Sequence, residues 1–303
     1  LPILSVNARW VQNGTSVAGG HGYGGASNQL AFVGNLFVDD DGTVVIPDIC
    51  NNRIMQWKVG DINGRVVAGG NGEGSRVDQL THPTNVLIDK ETDSLIICDY
   101  GNERIVRWSL RNGTTQGEVL LNGTCCSGLA MDEQRYLYVC NCEKHEVRRY
   151  RIGDKNGTLV TRGNGKGADL NQLNIPLCLV VDRQQAIYVS DYGNHRVIKW
   201  NKNAAEGIVV AGGQGNGTAL TQLSGPAGLF VDTLGTLYVA DAPNNRVMRW
   251  RQGVTQGTMI VGGFGEGAGA NQFKMPYGLS FDRHGNLYIS DSSNSRVQRF
   301  SLE

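Results

Sequence analysis

The stretch Leu237-Tyr-Val-Ala-Asp-Ala-Pro-Asn-Asn-Arg-Val-Met-Arg-Trp250 contains the pattern that decides the fold. An apolar segment ends in Asp, a polar connection ends in Arg, and a second apolar segment ends in an aromatic residue. The pattern occurs six times, with the Asp position filled by Asp48, Asp99, Asn141, Asp191, Asp241 and Asp291. Successive spacings are 51, 42, 50, 50 and 50 residues. A period of this length predicts a solenoid or a propeller.

Each repeat predicts four short strands joined by tight turns. In the fifth repeat, residues 228–232, 236–241, 246–250 and 258–261 are the predicted strands, and residues 233–235 form the first turn. A glycine loop such as Gly262-Gly-Phe-Gly-Glu-Gly267 then leads to the next repeat. Because no helical segment follows it, we interpret this loop as turns with positive φ and not as a phosphate-binding loop.

The two ends of the chain predict a closed ring. Residues 16–20 match a fourth strand but precede the first full repeat, whereas the sixth repeat stops at residues 300–303, after its third strand. The N-terminal strand should therefore complete the last repeat. We predict an all-β fold, a six-bladed β-propeller of four-stranded antiparallel blades in which residues 1–303 form a single domain.

Three segments carry a resemblance to a known family: Asp191-Tyr-Gly-Asn-His-Arg-Val197, Pro226-Ala-Gly-Leu-Phe-Val-Asp232 and Leu237-Tyr-Val-Ala-Asp241. They resemble NHL repeats, which are named for Asn-His-Leu. The resemblance covers nearly the whole chain and implies a six-bladed NHL β-propeller of the extracellular type.

Residues present in every repeat are interpreted as framework, because one active site needs one constellation and not six. The repeated Asp and Arg should form an ion pair, which the third repeat lacks because it has Asn141 and Glu146. The aromatic position should fill the gaps between blades; it holds Trp57, Trp108, Tyr150, Trp200, Trp250 and Phe300. A further carboxylate should cap the turn after each first strand, at Asp39, Asp89, Asp132, Asp182, Asp232 and Asp282.

The seven cysteines concentrate near the shortened third repeat, where residues 120–126 replace the glycine loop. Alignment on the repeat places four of them on one face of blades three and four: Cys126, Cys140, Cys142 and Cys178. We expect disulfides that staple the short blade. Packing of reduced thiols and a thiolate metal site are alternatives, although Cys140-x-Cys142 lacks the usual zinc-knuckle spacing. We predict no cofactor and no metal.

Five Asn-Gly-Thr sequons occur, at Asn13, Asn112, Asn122, Asn156 and Asn216. Asn-Gly is also a hairpin-turn signal, so the turns alone could explain these dipeptides. Together with the cysteines, the sequons favour an extracellular, secreted protein that carries glycans.

Charge and hydropathy bear on possible partners. Lys plus Arg and Asp plus Glu are both 28, so no net field would attract nucleic acid. The local cluster Arg148, Arg149 and Arg151 keeps RNA recognition, which some intracellular NHL propellers perform, as an alternative. No apolar run approaches the roughly 18 to 20 residues that span a bilayer, and we predict no membrane insertion.

The leading hypothesis for function is a rigid, secreted, non-catalytic binding or scaffold module that recognises a protein or glycan through one face. The predicted contacts lie where the repeats differ, on the face that carries the starts of the first strands: Asn35, Thr84, Asn85, Tyr100, His195 and Tyr277. The resemblance also implies two enzyme alternatives. The peptide-amidating lyase holds zinc with histidines, but no histidine follows the repeat proline here. Calcium-dependent lactonases and esterases use axial Asn, Asp and Glu, and Asn35 and Asn85 keep this alternative open.

Overall fold

The computed structural model describes residues 4–111, 114–161 and 165–303, and over these ranges the chain forms 24 strands in six four-stranded antiparallel sheets. The innermost, first strands of the blades are β2 (Phe37–Val38), β6 (Pro83–Asp89), β10 (Cys126–Met131), β14 (Pro176–Val181), β18 (Pro226–Val231) and β22 (Pro276–Phe281). The second strands are β3 (Val44–Asp48), β7 (Ser94–Asp99), β11 (Tyr136–Asn141), β15 (Ile187–Asp191), β19 (Leu237–Asp241) and β23 (Leu287–Asp291).

The outer half of each blade consists of a third and a fourth strand. The third strands are β4 (Arg53–Trp57), β8 (Arg104–Ser109), β12 (Glu146–Arg151), β16 (Arg196–Trp200), β20 (Arg246–Trp250) and β24 (Arg296–Phe300). The fourth strands are β5 (Arg65–Gly69), β9 (Glu118–Asn122), β13 (Thr158–Leu159), β17 (Ile208–Gly212), β21 (Thr258–Gly262) and β1 (Thr15–Gly19). Short 3-10 turns join second to third strands at Ile49–Asn51, Tyr100–Asn102, Tyr192–Asn194, Ala242–Asn244 and Ser292–Asn294. The propeller prediction is confirmed.

The ring closes by pairing the two ends of the chain, as predicted. Strand β1 runs antiparallel to β24, with Thr15 opposite Arg299 and Gly19 opposite Arg296. A further bridge joins Trp10 to Leu302, and the Trp10 indole N–H donates to the Gly285 carbonyl at 2.9 Å. The segments around Trp10 and Thr15–Gly19 are therefore held in blade six together with strand β24.

The aromatic position of each third strand is buried between blades, which confirms the packing prediction. A glycine before the fourth strand lies against the same ring: a Cβ on Gly257 would approach Trp250 to 2.6 Å, and one on Gly157 would approach Tyr150 to 2.5 Å. Only glycine fits beneath these rings. This packing explains the glycines of two sequons, since Gly14 and Gly157 occupy this repeat position.

The predicted ion pairs form in five blades. They join Arg Nε to an Asp oxygen at 2.7 Å (Asp48–Arg53), 2.6 Å (Asp99–Arg104), 2.7 Å (Asp191–Arg196), 2.7 Å (Asp241–Arg246) and 2.8 Å (Asp291–Arg296). The other guanidinium nitrogens of Arg246 donate to the carbonyls of Thr218, Ala219 and Gln222 in the glycine loop that leads into the same blade. The pair therefore fixes the loop as well as the blade.

Blade three shows why the repeated Asp and its partner Arg are both replaced in the same repeat. Its incoming glycine loop is missing, so an arginine there would have no loop carbonyls to bind. Glu146 instead pairs with Arg148 at 2.7 Å, and Asn141 Oδ1 accepts the backbone N–H groups of Glu143 and Lys144. The framework pair and the glycine loop act as one unit.

The carboxylates after the first strands cap their own turns, as predicted. Asp232 Oδ1 accepts the backbone N–H of Leu234 at 2.9 Å and that of Thr236 at 2.8 Å, and Asp282 caps its turn in the same way. These side chains are therefore part of the hairpin framework.

A disulfide joins Cys98 on β7 to Cys126 on β10, with the Cα atoms 5.4 Å apart. The bond connects blades two and three, whereas the predicted cluster lay on blades three and four. The reason is that facing sheets bring the end of one blade's second strand against the start of the next blade's first strand. In the part of the chain that the structure describes, the other three predicted cysteines, Cys140, Cys142 and Cys178, are free thiols.

In the described ranges, no helix is long and apolar enough to cross a membrane.

Candidate functional site

The six first strands surround a central channel that has two different mouths. The loop face carries the glycine loops and the connections between second and third strands, and the turn face carries the turns between first and second strands. The residues four positions before the turn carboxylates form one level of this channel, which we call the neck: Asn35, Asn85, Gly128, Cys178, Gly228 and Gly278.

Neighbouring first strands approach one another closely at the neck. The Asn35 backbone N–H donates to the Thr84 carbonyl at 3.0 Å. A Cβ on Gly278 would lie 2.5 Å from Asn35 Oδ1, and one on Gly228 would lie 2.5 Å from the Tyr277 carbonyl oxygen. The glycines therefore allow the strands to close the ring, and the larger side chains occupy its centre.

Side chains from opposite blades meet across the neck. Asn35 belongs to blade one and Cys178 to blade four, and Asn35 Nδ2 donates to Cys178 Sγ at 3.5 Å. Burial raises the pKa of the Cys178 thiol to about 11, so this group is uncharged at neutral pH. The neck is therefore an electrically neutral floor of the cavity described below.

Two amide atoms in this floor lack partners. Asn35 Oδ1 and Asn85 Nδ2 are buried and have no hydrogen-bond partner among the described residues. The Asn85 side chain belongs to a residue that is only 2% exposed. A buried polar group without a partner costs about 1–3 kcal/mol. Seven buried side-chain atoms of the described residues lack a partner, and Asn35 Oδ1 and Asn85 Nδ2 are the two that belong to residues lining the channel cavity.

Both amides line a cavity of about 450 Å³ that reaches the turn face. Its walls are apolar and come from all six first strands, with the half-buried rings of Phe37 and Phe230 among them. Its rim carries Asp39, Asp40, Lys90 and Arg283. A concave apolar site of this size with a few placed polar groups is typical of small-ligand sites. The cavity opens opposite the face on which the sequence placed the contacts.

The rim is charged, in contrast to the neck. Lys90 Nζ lies 2.8 Å from Asp39 Oδ1 and 2.5 Å from Asp40 Oδ2, bridging blades one and two. The hydrogen bond from Lys90 lowers the pKa of Asp40. The rim of the cavity therefore carries charged side chains, whereas the neck carries none.

Of the six predicted contact residues, Asn35 and Asn85 share this cavity, and three others lie toward the loop face. Thr84 donates its hydroxyl to the Cys126 carbonyl at 3.2 Å. Burial raises the pKa of Tyr277, with smaller contributions from Cys178 and Cys142. Burial also raises the pKa of Tyr100, whose hydroxyl interacts with Cys125.

The sixth residue, His195, has a structural contact. It adopts a left-handed conformation with φ +54°, and its Nδ1 accepts the Gly225 backbone N–H of the next blade at 3.1 Å. The same inter-blade bond recurs at Asn52, His145 and Asn245. A repeated hydrogen bond of this kind identifies a framework position.

The sequon asparagines at positions 13, 122, 156 and 216 are exposed, and Asn112 lies outside the described residues. The Arg148–Arg151 cluster is partly used within blade three, since Arg148 pairs with Glu146 and Arg149 lies over the Tyr136 ring at 4.7 Å. Within the described ranges, no three His, Cys, Asp or Glu side chains are arranged to hold a metal ion.

Sequence reasoning did not identify the walls and rim of the cavity. Phe37 and Phe230 stand two residues before the turn carboxylate, where the other repeats have Leu87, Ala130, Val180 and Ser280. The variation in size at this position was the available signal. It marks where the channel wall departs from sixfold symmetry.

Comparison with known proteins agrees with this architecture. The sequence profile of the NHL repeat matches residues 173–200 and 273–300, and no curated protein matches the sequence. A Bacteroides thetaiotaomicron protein of unknown function has a TM-score of 0.77 at 16% identity over 97% of this chain and 77% of its own. An auxiliary nutrient binding protein from the same organism has a TM-score of 0.73 at 14% identity, covering 97% and 77%.

A gluconolactonase from Xanthomonas campestris is also similar, with a TM-score of 0.63 at 14% identity and 99% coverage of both chains. At such identities the likeness establishes a shared fold, and this fold hosts different activities. The repeat matches and the closed ring of six four-stranded blades show that the chain contains NHL repeats and has a six-bladed β-propeller fold.

Proposed function

We propose that the chain is a secreted, non-catalytic binding module that takes the uncharged end of a glycan into the turn-face cavity. The observation that carries this proposal is the pair of unpartnered amide atoms, Asn35 Oδ1 and Asn85 Nδ2, at the floor of an apolar cavity. A ligand that supplies the opposite groups would satisfy this donor and this acceptor.

The hydrogen-bonding atoms at the neck determine which type of ligand group can bind there. Asn35 Oδ1 needs a donor and Asn85 Nδ2 needs an acceptor, and a hydroxyl can serve as either. No carboxylate or cation lines the neck, so an ionised group would lose its hydration there without a counter-charge. A neutral sugar ring with neighbouring hydroxyls meets both requirements.

The walls and rim suit the remainder of such a ligand. Phe37 and Phe230 present apolar rings that can cover the C–H face of a sugar, as aromatic side chains do in many ligand sites. The volume of about 450 Å³ is within the range of small-ligand sites. The end of the sugar chain therefore enters the cavity, and the sugar units that follow it pass the rim.

Secretion is supported by separate features. A disulfide joins blades two and three, and the four sequon asparagines that the structure describes are exposed to solvent. Stable disulfides and N-glycans both belong to the secretory route. The similar nutrient binding protein favours a binding role over a purely structural one.

The proposal is tested by titrating unglycosylated protein with neutral oligosaccharides and with matched oligosaccharides that end in a uronic acid. We expect binding of neutral chain ends, at least tenfold weaker binding of acidic ones, and about tenfold weaker binding by Asn85→Ala. Thermal stability of Asn85→Ala should be unchanged or higher, because the substitution removes a buried amide nitrogen that has no partner.

Asn216→Ala is the matched control, since Asn216 is exposed on a glycine loop of the opposite face. Equal binding by wild type and Asn85→Ala would contradict the proposal, and so would retention of a protein ligand in place of any glycan. Calcium-dependent hydrolysis of a lactone by the wild type would favour the lactonase alternative, which the similar gluconolactonase keeps in view.

A further inference from the structure

We infer that Cys125 and Cys142 form a second disulfide, which holds blade three together. Their Sγ atoms are 3.9 Å apart although the residues are separated by a whole hairpin. Strands β10 and β11 pair with Cys126 opposite Asn141, so Cys125 and Cys142 are the next opposed pair along the same ladder. Opposed residues of antiparallel strands have Cβ atoms about 4.5–5.5 Å apart, near the range that a disulfide spans.

Blade three has a structural need for such a bond. The glycine loop and the Asp–Arg pair that fix the second-to-third connection elsewhere are absent here. In the described ranges, the 3-10 turns likewise occur in the other five blades, whereas residues 142–145 form an ordinary turn. Blade three is also the repeat with cysteines at both opposed positions. A covalent link would restore the lost connection.

The solvent accessibility of the two thiols determines the order of the two thiol–disulfide exchange steps. Cys142 is half-buried, whereas Cys125 is buried and burial raises the pKa of its thiol to about 12. The Cys142 thiolate therefore attacks a sulfur of a low-molecular-weight disulfide such as oxidised glutathione and releases one glutathione thiol. Cys125 then loses its proton to solvent and attacks Cys142 Sγ, which releases the second glutathione. Two protein thiols are oxidised and one glutathione disulfide is reduced.

This bond differs from the Cys98–Cys126 bond in its partners and its span. Cys98–Cys126 links two blades, while Cys125–Cys142 lies within blade three. Cys125 and Cys126 are adjacent in sequence, so the two bonds would anchor the start of β10 from both sides. Cys140 serves as an internal control for Cys142. Both cysteines lie in the same short segment, but only Cys142 is opposed to Cys125.

The test exposes folded, unglycosylated protein to oxidised glutathione, alkylates the remaining thiols, and identifies linked peptides by fragmentation without reduction. We expect two bridges in the wild type and in Cys140→Ser, and the Cys98–Cys126 bridge alone in Cys125→Ser and in Cys142→Ser. Alkylation of wild-type Cys142 should fall at least tenfold after oxidation.

A wild type whose Cys125 and Cys142 are both fully alkylated after oxidation would overturn the inference. So would loss of the second bridge in Cys140→Ser with its retention in Cys142→Ser, because Cys140 would then be the partner. The wild-type measurement needs no substitution, so it does not depend on the folding of any variant.

Discussion

Blades five and three perform the same structural task with different interactions. In blade five, Asp241 and Arg246 form a buried ion pair, and the arginine also holds the glycine loop through three carbonyls. Blade three has Asn141 and Glu146 at these positions, a short connection in place of the loop, and four cysteines within its hairpin region. The comparison teaches that ion pair and loop are lost as a unit, and that cysteines are concentrated in the blade that lacks them.

The largest effect is expected from breaking the blade-five pair. Asp241→Ala leaves the buried Arg246 guanidinium without its counter-charge, and we expect a loss of about 3–5 kcal/mol in the free energy of unfolding. Urea denaturation followed by tryptophan fluorescence measures it, because Trp250 is buried in the same blade. Stability within about 1 kcal/mol of wild type would show that the pair does not hold the loop.

The next effect is expected from breaking the link between blades two and three. Cys98→Ala with Cys126→Ala removes a bond that closes a 28-residue separation, which chain-entropy arguments value at about 3–4 kcal/mol. Calorimetry of oxidised protein provides the measurement. The control is Cys50→Ala, an exposed free thiol, which should change stability by no more than about 0.5 kcal/mol. A double variant as stable as this control would contradict the staple role.

The sequence predicts the framework of the propeller better than it predicts the candidate site. The Asp241–Arg246 pair could be predicted because the chain contains six copies of one pattern. Comparing the copies separates the recurring Asp and Arg from residues that vary between repeats. The partner of Cys126 could not, since alignment gives a position within a blade but not which side chain of the neighbouring blade reaches it. The contact role of His195 stays a prediction, and its left-handed backbone and its bond to Gly225 become visible only in three dimensions.

The cavity was hidden from the sequence for a related reason. The pairing of β18 with β19 shifts register between Pro226 and Leu229, and such an irregularity changes which side chains face the channel. Alternation of apolar and polar residues therefore does not tell whether Phe230 lines the channel. Asn35 and Asn85 were found because they replace glycine, a difference that needs no knowledge of register.

A small effect is expected from the substitute ion pair in blade three. Glu146→Gln removes the partner of Arg148, whose side chain is 39% exposed and can be solvated. We expect a change below about 1 kcal/mol in the same urea assay. A loss as large as that of Asp241→Ala would show that blade three retains an ion-pair framework after all.

The smallest effect on stability is expected from removing the exposed sequons beside the Glu146–Arg148 pair of blade three. Asn122 and Asn156 line one shallow depression of about 180 Å³. Protein secreted from eukaryotic cells should carry glycans at both positions, seen as a mass decrease after enzymatic deglycosylation. Asn122→Gln with Asn156→Gln should abolish that decrease at these positions and change unfolding by less than about 0.5 kcal/mol. Unmodified asparagines in secreted protein would contradict the glycan assignment.

The central claim is that the unpartnered amides at the neck receive a neutral sugar end. A crystal structure with the tightest-binding oligosaccharide tests it most directly. We predict sugar hydroxyls within hydrogen-bond distance of Asn35 Oδ1 and Asn85 Nδ2, with the chain leaving past Lys90 on the turn face. A sugar bound on the loop face beside Tyr277, with both amides still unpartnered, would contradict the account.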